Sequence, residues 1–246
     1  MLRALKAELF KLRRAPMVLW TLLTVALVPA VSAGSVKTMD ADLHVTWDSF
    51  MRLGPQMMAS WWGILIFGLA TSYLFGRELF DGTAKNMLTL PIRRETFVVA
   101  KFVVLALWVA ALTVLSVVMQ AAFASVLGVP GFAWAPIWRS ASQSFQIAGL
   151  IYLTLPVVAA LATLEKGYLP PMMFSAFMAT AAFMVAAIGW GRWFPWSMVL
   201  APAGSSFGPL FDAPVLTAVS WVIDSAVFAA GVLVVLVYID RADNTQ

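Results

Sequence analysis

The chain has 246 residues, 62% of them hydrophobic and 11% charged, with a formal net charge of +4. A soluble domain carries about 25% charged and about 45–50% apolar residues, so this composition cannot cover a water-facing surface and excludes a soluble enzyme or a disordered hub. With no Cys and a single histidine, His44, the chain also has no thiolate metal site, no CxxC redox pair, no disulfide and no HExxH zinc site.

What remains is an all-α membrane protein, read as one transmembrane domain over residues 1–246 with six spans of roughly 20 residues or more. The chain opens on an amphipathic segment. Leu2, Leu5, Leu9 and Leu12 recur at helical spacing and form one stripe, flanked by Lys6, Lys11, Arg13 and Arg14. Pro16 then restricts Ala15 and favours a bend. This pattern predicts an elbow helix over 1–16 lying in the membrane interface. Apolar runs follow at 17–36, 57–75, 98–127, 143–164, 172–190 and 215–239, and each is long enough to cross a bilayer as a helix. Val31-Ser32-Ala33 resembles a signal-peptide cleavage site, but the long basic segment before the first run, itself patterned as a helix, favours a retained anchor.

The connection after the second run is rich in signals. Gly82 supplies an unusual backbone angle, Thr83 caps a helix from Ala84, and Pro91 stops that helix after about two turns. Met87, Leu88 and Leu90 give it an apolar side that suits either another protein's groove or the bilayer surface. Farther on, Gln120, Gln143 and Gln146 offer bonds between helices, and Pro156 predicts a kink in the fourth span. Residues 165–167 read as a minimal connector. The segment 190–214, with Pro195, Pro202, Pro209 and Pro214, is too apolar for a solvated loop and is expected to lie in or dip into the outer interface. Asp224 stands alone as a carboxylate inside a span. It is read either as a neutral acid bonded to Ser220 or Ser225, or as part of a proton or cation path. With no matching base inside the membrane, the bonded reading is preferred.

Twelve of the 16 Lys and Arg fall on the side of the termini, the 76–101 connection and Lys166, while Lys37, Arg52, Arg139 and Arg192 fall on the other. Positive residues stay cytoplasmic, so both termini are predicted on the cytoplasmic side of the membrane. Tryptophan runs the opposite way: Trp47, Trp61, Trp62, Trp134, Trp138, Trp190, Trp193, Trp196 and Trp221 lie toward the outer face. An aromatic belt explains any one of them. Nine together also suit a surface that handles an amphiphile.

These residues resemble the bacterial type-2 ABC exporter permeases. The likeness rests on Glu8-Leu-Phe-Lys11 in the elbow segment and on Glu78, Gly82-Thr83, Leu88 or Leu90, Pro91, Arg94 and Lys101 around the first basic connection. Arg93 departs from the Ser or Thr often found there. Lys85-Asn86-Met87 and the compact length are most similar to the bacitracin and lantibiotic self-protection permeases. The resemblance implies an elbow helix using Leu5, Glu8, Leu9 and Lys11. It also implies a coupling segment using Glu78, Gly82, Thr83, Met87, Leu88, Pro91, Arg94 and Lys101 against a cytoplasmic ABC ATPase dimer. A second permease copy or paralogue would complete the assembly, and membrane lipid would surround it; nucleic acid has no place in it. No Gly-x-x-x-x-Gly-Lys-Ser/Thr stretch occurs. ATP and Mg are therefore expected on the partner, with no cofactor in this chain.

The expected function is a transport subunit, not an enzyme, of an ATP-driven exporter for an amphiphilic peptide antibiotic. Asp224, Gln143 and Gln146 are the candidate polar site within the membrane. A permease for a drug, a lipid-linked glycan or an ion, or a secondary transporter, is the alternative. A secondary transporter would call for more intramembrane polar groups or an internal repeat. An intramembrane enzyme would need clustered acid, base and nucleophile, which one loop His and one buried Asp do not supply.

Overall fold

The computed structural model describes Phe10 and residues 16–38, 45–80, 94–207 and 213–241. Among these residues the chain is helical throughout, with no strand, and six helices are long and apolar enough to cross a membrane. The predicted elbow helix and the helix predicted from Ala84 lie outside the described residues, apart from Phe10, which is exposed.

The first span is α1 (Pro16–Thr38). The second is one continuous helix made of α2 (Trp47–Met57), a π-helical turn at Met58–Trp62 and α3 (Gly63–Phe80). The third is α4 (Arg94–Val126), the fourth α5 (Trp134–Leu164), the fifth α6 (Leu169–Ala187) and the sixth α8 (Ala218–Arg241). Six alternating crossings put Pro16, the 81–93 connection, the 165–168 turn and Arg241 at one end, the basic end. The opposite end carries most of the tryptophans.

Two spans reach farther toward the tryptophan-rich end than the apolar runs suggest. The second begins at Trp47 instead of residue 57, and the fourth at Trp134 instead of residue 143. Polar residues interrupt hydropathy there, yet they pair with one another: Asp48 Oδ1 accepts from Arg139 Nη1 at 2.8 Å, and Asp48 Oδ2 accepts from Arg52 Nε at 2.9 Å. α2 also buries Trp47, Phe50, Met51 and Pro55, at spacings of three, one and four, and the first three form a second small core with Ala33 and Ala124. Thr46 and Ser49 close a capping box at its start. The helix from Trp47 to Phe80 is therefore about 50 Å long, against a hydrocarbon core of about 30 Å, longer than a straight crossing needs.

α5 is the hub, packing against α3, α4, α6 and α8. Its Pro156 lies against Gly231 of α8, where a Cβ would come within 2.6 Å of the Pro156 carbonyl carbon, so the two backbones touch as only glycine allows. α8 meets this seam with Ser220, Asp224, Gly231 and Val235, all buried, and with Val232, Leu236 and Ile239, partly buried against the core.

Of the segment expected to dip into the outer interface, the described residues 190–207 fold into a compact cap; Pro209 lies outside the described residues. A 3-10 turn at Gly191–Trp193, the short helix α7 (Pro195–Met198) and a 3-10 stretch at Ala201–Ser206 pack on α5, α6 and α8. Trp196, Met198, Val199 and Leu200 are buried in it. Side chains pin it down: Ser197 Oγ donates to the Ala182 carbonyl at 2.6 Å, and Ser220 Oγ donates to the Arg192 carbonyl at 2.9 Å.

Candidate functional sites at the two ends

At the basic end, four helix ends converge on the start of the 81–93 connection. Lys101 of α4 is only 3% exposed, and its Nζ donates to the Leu74 carbonyl of α3 at 2.7 Å. The ammonium lies 5.4 Å from the ring centre of Phe75 and 5.0 Å from that of Phe97, within cation–π range of both. Burying an ammonium is costly unless it is hydrogen-bonded and faced by negative potential, and this cage supplies both. Lys101 thus ties the base of the third span to the last turns of the second.

Two residues farther along α3, Gly76 lies against the turn between α5 and α6. A Cβ on Gly76 would come within 2.5 Å of the Gly167 carbonyl oxygen. Phe80 meets Tyr168 edge-on at 5.5 Å, and Arg77 Nη1 donates to the Tyr73 hydroxyl at 2.7 Å. Residues 165–167, read from sequence as a bare connector, form a bearing surface for α3. The pairing of Gly76 with Gly167 is the signal that points to it, since small residues mark close helix contacts in membranes.

Of the predicted coupling residues, Lys101 is placed in full. Glu78 and Arg94 are placed on helical backbone at the two lips of the connection, without their side chains. Gly82, Thr83, Met87, Leu88 and Pro91 lie outside the described residues, as do Leu5, Glu8, Leu9 and Lys11 of the elbow.

The predicted intramembrane polar residues separate into different environments. Gln120 bonds between helices as expected, its Nε2 donating to the Phe50 carbonyl at 2.9 Å. Gln143 bonds to the cap instead: its Nε2 donates to the Pro202 carbonyl at 3.0 Å, while its Oε1 is buried without a partner among the described residues. Gln146 is exposed and makes no hydrogen bond to a described residue. Asp224 is fully buried, and both carboxylate oxygens lack a hydrogen-bond partner among the described residues. The expected bond to Ser220 or Ser225 is absent, because the Ser220 hydroxyl is turned to the Arg192 carbonyl and to Thr217.

Between α5 and α8, above the Pro156–Gly231 contact, the helices part around a cavity of about 450 Å³. Phe145, Gln146, Gly149 and Tyr152 of α5 form one wall; Leu216 and Trp221 form the other, and Pro202 of the cap sits over it. Trp47 and Trp196 are buried and belong to packing, whereas Trp134, Trp138, Trp190 and Trp193 are exposed around this end. No group of three or more His, Asp or Glu suited to hold a metal occurs among the described residues.

Fold and sites together define a six-span helical membrane protein whose basic end gathers several spans around one connection. The family model of the ABC-2 family transporter proteins matches residues 4–182. The bacitracin transport permease protein of Bacillus licheniformis is 30% identical over 183 residues, which cover 74% of this chain and 85% of that relative. The chain belongs to the ABC-2 transporter family, as the permease component of an ABC transporter. Membership implies a cytoplasmic ABC ATPase as its partner.

Proposed function

We propose that this chain is the permease of an ATP-driven exporter that clears an amphiphilic peptide antibiotic, of the bacitracin or lantibiotic kind, from the membrane. The observation that carries the reading is the 30% identity to a bacitracin transport permease along 85% of that protein. In this reading the basic end faces the cytoplasm, and the helix from Ala84 docks in the groove of a partner ATPase that holds ATP and Mg. Two ATPase chains and a second permease copy or paralogue complete the machine.

The node at Lys101 and Gly76 supports such a role, because it lets a push on the 81–93 connection reach the second, third, fourth and fifth spans together. Rigid packed elements with close backbone contacts transmit displacement instead of absorbing it. Expressed with its ATPase in a bacitracin-sensitive strain, the wild type should raise the inhibitory concentration. Glu78→Ala or Gly82→Pro should abolish that protection while leaving the amount of membrane-inserted protein unchanged. Full protection by both variants would overturn the reading.

A further inference from the structure

We propose that one ordered water molecule is built into the π-helical turn of the second span, held by the side-chain oxygen of Gln120. Its site lies inside the bundle and does not depend on the exporter reading above.

Partway along the second span, the helices leave a cavity of about 30 Å³ between that span, α1 and α4. Met58 and Trp62, the first and last residues of the π-helical turn, line it. So does Gly63, whose N–H donates to the Met58 carbonyl and closes the turn. On its other side Gly63 bears on α5, where a Cβ would lie 2.7 Å from Ile151 Cδ1. The wide turn is thus wedged between α5 and the cavity. Val28 of α1 and Ser116 and Gln120 of α4 face it from across the gap. π-helical turns inside α-helices occur most often at functional sites, which makes the contents of this gap worth deciding.

Gln120 identifies the occupant. It is 1% exposed, and its two amide atoms fare unequally. Nε2 donates to the Phe50 carbonyl at 2.9 Å, whereas Oε1 is buried without a partner among the described residues. Turning the amide over gives no relief, because it would set two carbonyl oxygens against each other. Oε1 would lie 3.7 Å from a Cβ on Gly54, and Gly54 lines the same cavity, so the oxygen stands at its edge. A buried acceptor left unbonded forfeits its hydration with nothing in return, so the site calls for a donor.

Size and charge select water among the donors. One water needs about 10–15 Å³ of such space, whereas small organic ligands take about 300–1,000 Å³. A divalent cation gathers about six oxygens, carboxylates among them, and no charged side chain lines the cavity among the described residues. Water carries two O–H donors. One is directed to Gln120 Oε1. The other has the Ser116 hydroxyl oxygen, whose own hydrogen goes to the Thr113 carbonyl at 2.8 Å and whose lone pairs accept no bond from a described residue. Two acceptors meet the requirement of about two to four polar partners for a buried water.

The purified full chain, in nanodiscs, is exposed to a pulse of synchrotron X-rays, which turns bound water into hydroxyl radicals where it sits. Oxidised methionines are then mapped by mass spectrometry. Met58 is only 6% exposed, yet it should be oxidised through the water beside it, while Met198, fully buried in the cap, should stay unmodified. Two variants close the site from opposite walls. Gln120→Leu deletes the acceptor; Val28→Ile adds one methylene to the gap and leaves Gln120 in place, and it serves alone should Gln120→Leu fail to fold. Each variant that keeps the wild-type helix content and elution volume should lose the oxidation of Met58. An unmodified Met58 in the wild type, equal oxidation of Met58 and Met198, or oxidation of Met58 at the wild-type level in a folded variant would overturn the site.

Discussion

An ammonium that is almost fully buried, 2.7 Å from a carbonyl and between two aromatic rings, makes Lys101 a link and not a surface anchor. Methionine keeps the stem volume and deletes the charge. The substitution removes the desolvation cost of the ammonium but leaves the Leu74 carbonyl one bond short, so Lys101→Met should shift stability by no more than about 1–2 kcal/mol. The base of α4 would, however, no longer be held to α3. Lys101→Met is therefore expected to melt near the wild-type temperature while losing most of its stimulation of the partner ATPase, measured in reconstituted vesicles. Stimulation at the wild-type level would reduce Lys101 to a packing residue. The sequence marks Lys101 through its motif, but not the Leu74 carbonyl or the Phe75 and Phe97 rings, which are neighbours only once the spans are packed. Asp224 shows the converse. Its depth is plain from hydropathy, yet the bond expected to Ser220 is absent, because the cap offers that hydroxyl the carbonyl of Arg192.

Among the elements, the six spans were legible because long apolar runs in lipid leave the backbone no alternative to the helix. Their limits at the tryptophan-rich end were not, since Asp48, Arg52 and Arg139 look like loop residues until Asp48 is seen paired with Arg52 one turn along α2 and with Arg139 of α5. The bearing of α3 on the 165–168 turn was likewise hidden, because a glycine signals permissiveness without naming its partner. Contrasting two glycines tests that contact. Gly34 of α1 has nothing within 4 Å of an added Cβ, so Gly34→Ala should stabilise the protein by about 0.5–1 kcal/mol through helix propensity. Gly76→Ala brings the same propensity gain, but its methyl carbon would lie 2.5 Å from a backbone oxygen that cannot turn aside. Overpacking of that kind costs about 1–3 kcal/mol, so Gly76→Ala should melt lower than wild type while Gly34→Ala melts higher. Equal shifts of the same sign in the detergent-purified protein would mean that α3 and the turn do not bear on each other.

Across the whole molecule, the two ends are joined by contacts in the middle of the bundle. Lys101 sits over Phe75, Phe75 packs on Phe102 at 4.9 Å, and the Phe102 carbonyl accepts from Tyr152, which lines the cavity between α5 and α8. This path has meaning for export only if the basic end is the cytoplasmic one. The charge asymmetry favours that orientation, since Lys and Arg resist translocation and tryptophan settles equally well on either side. The chain contains no Cys, so single cysteines can be introduced without a background. Ala133, at the start of α5, and Glu165, after its end, are both exposed and lie at opposite ends of one helix. A membrane-impermeant maleimide added to intact cells should label Ala133→Cys at once and Glu165→Cys only after permeabilisation. The reverse pattern would place the 81–93 connection outside the cell, where no ATPase can grip it, and would separate Lys101 from any role in coupling.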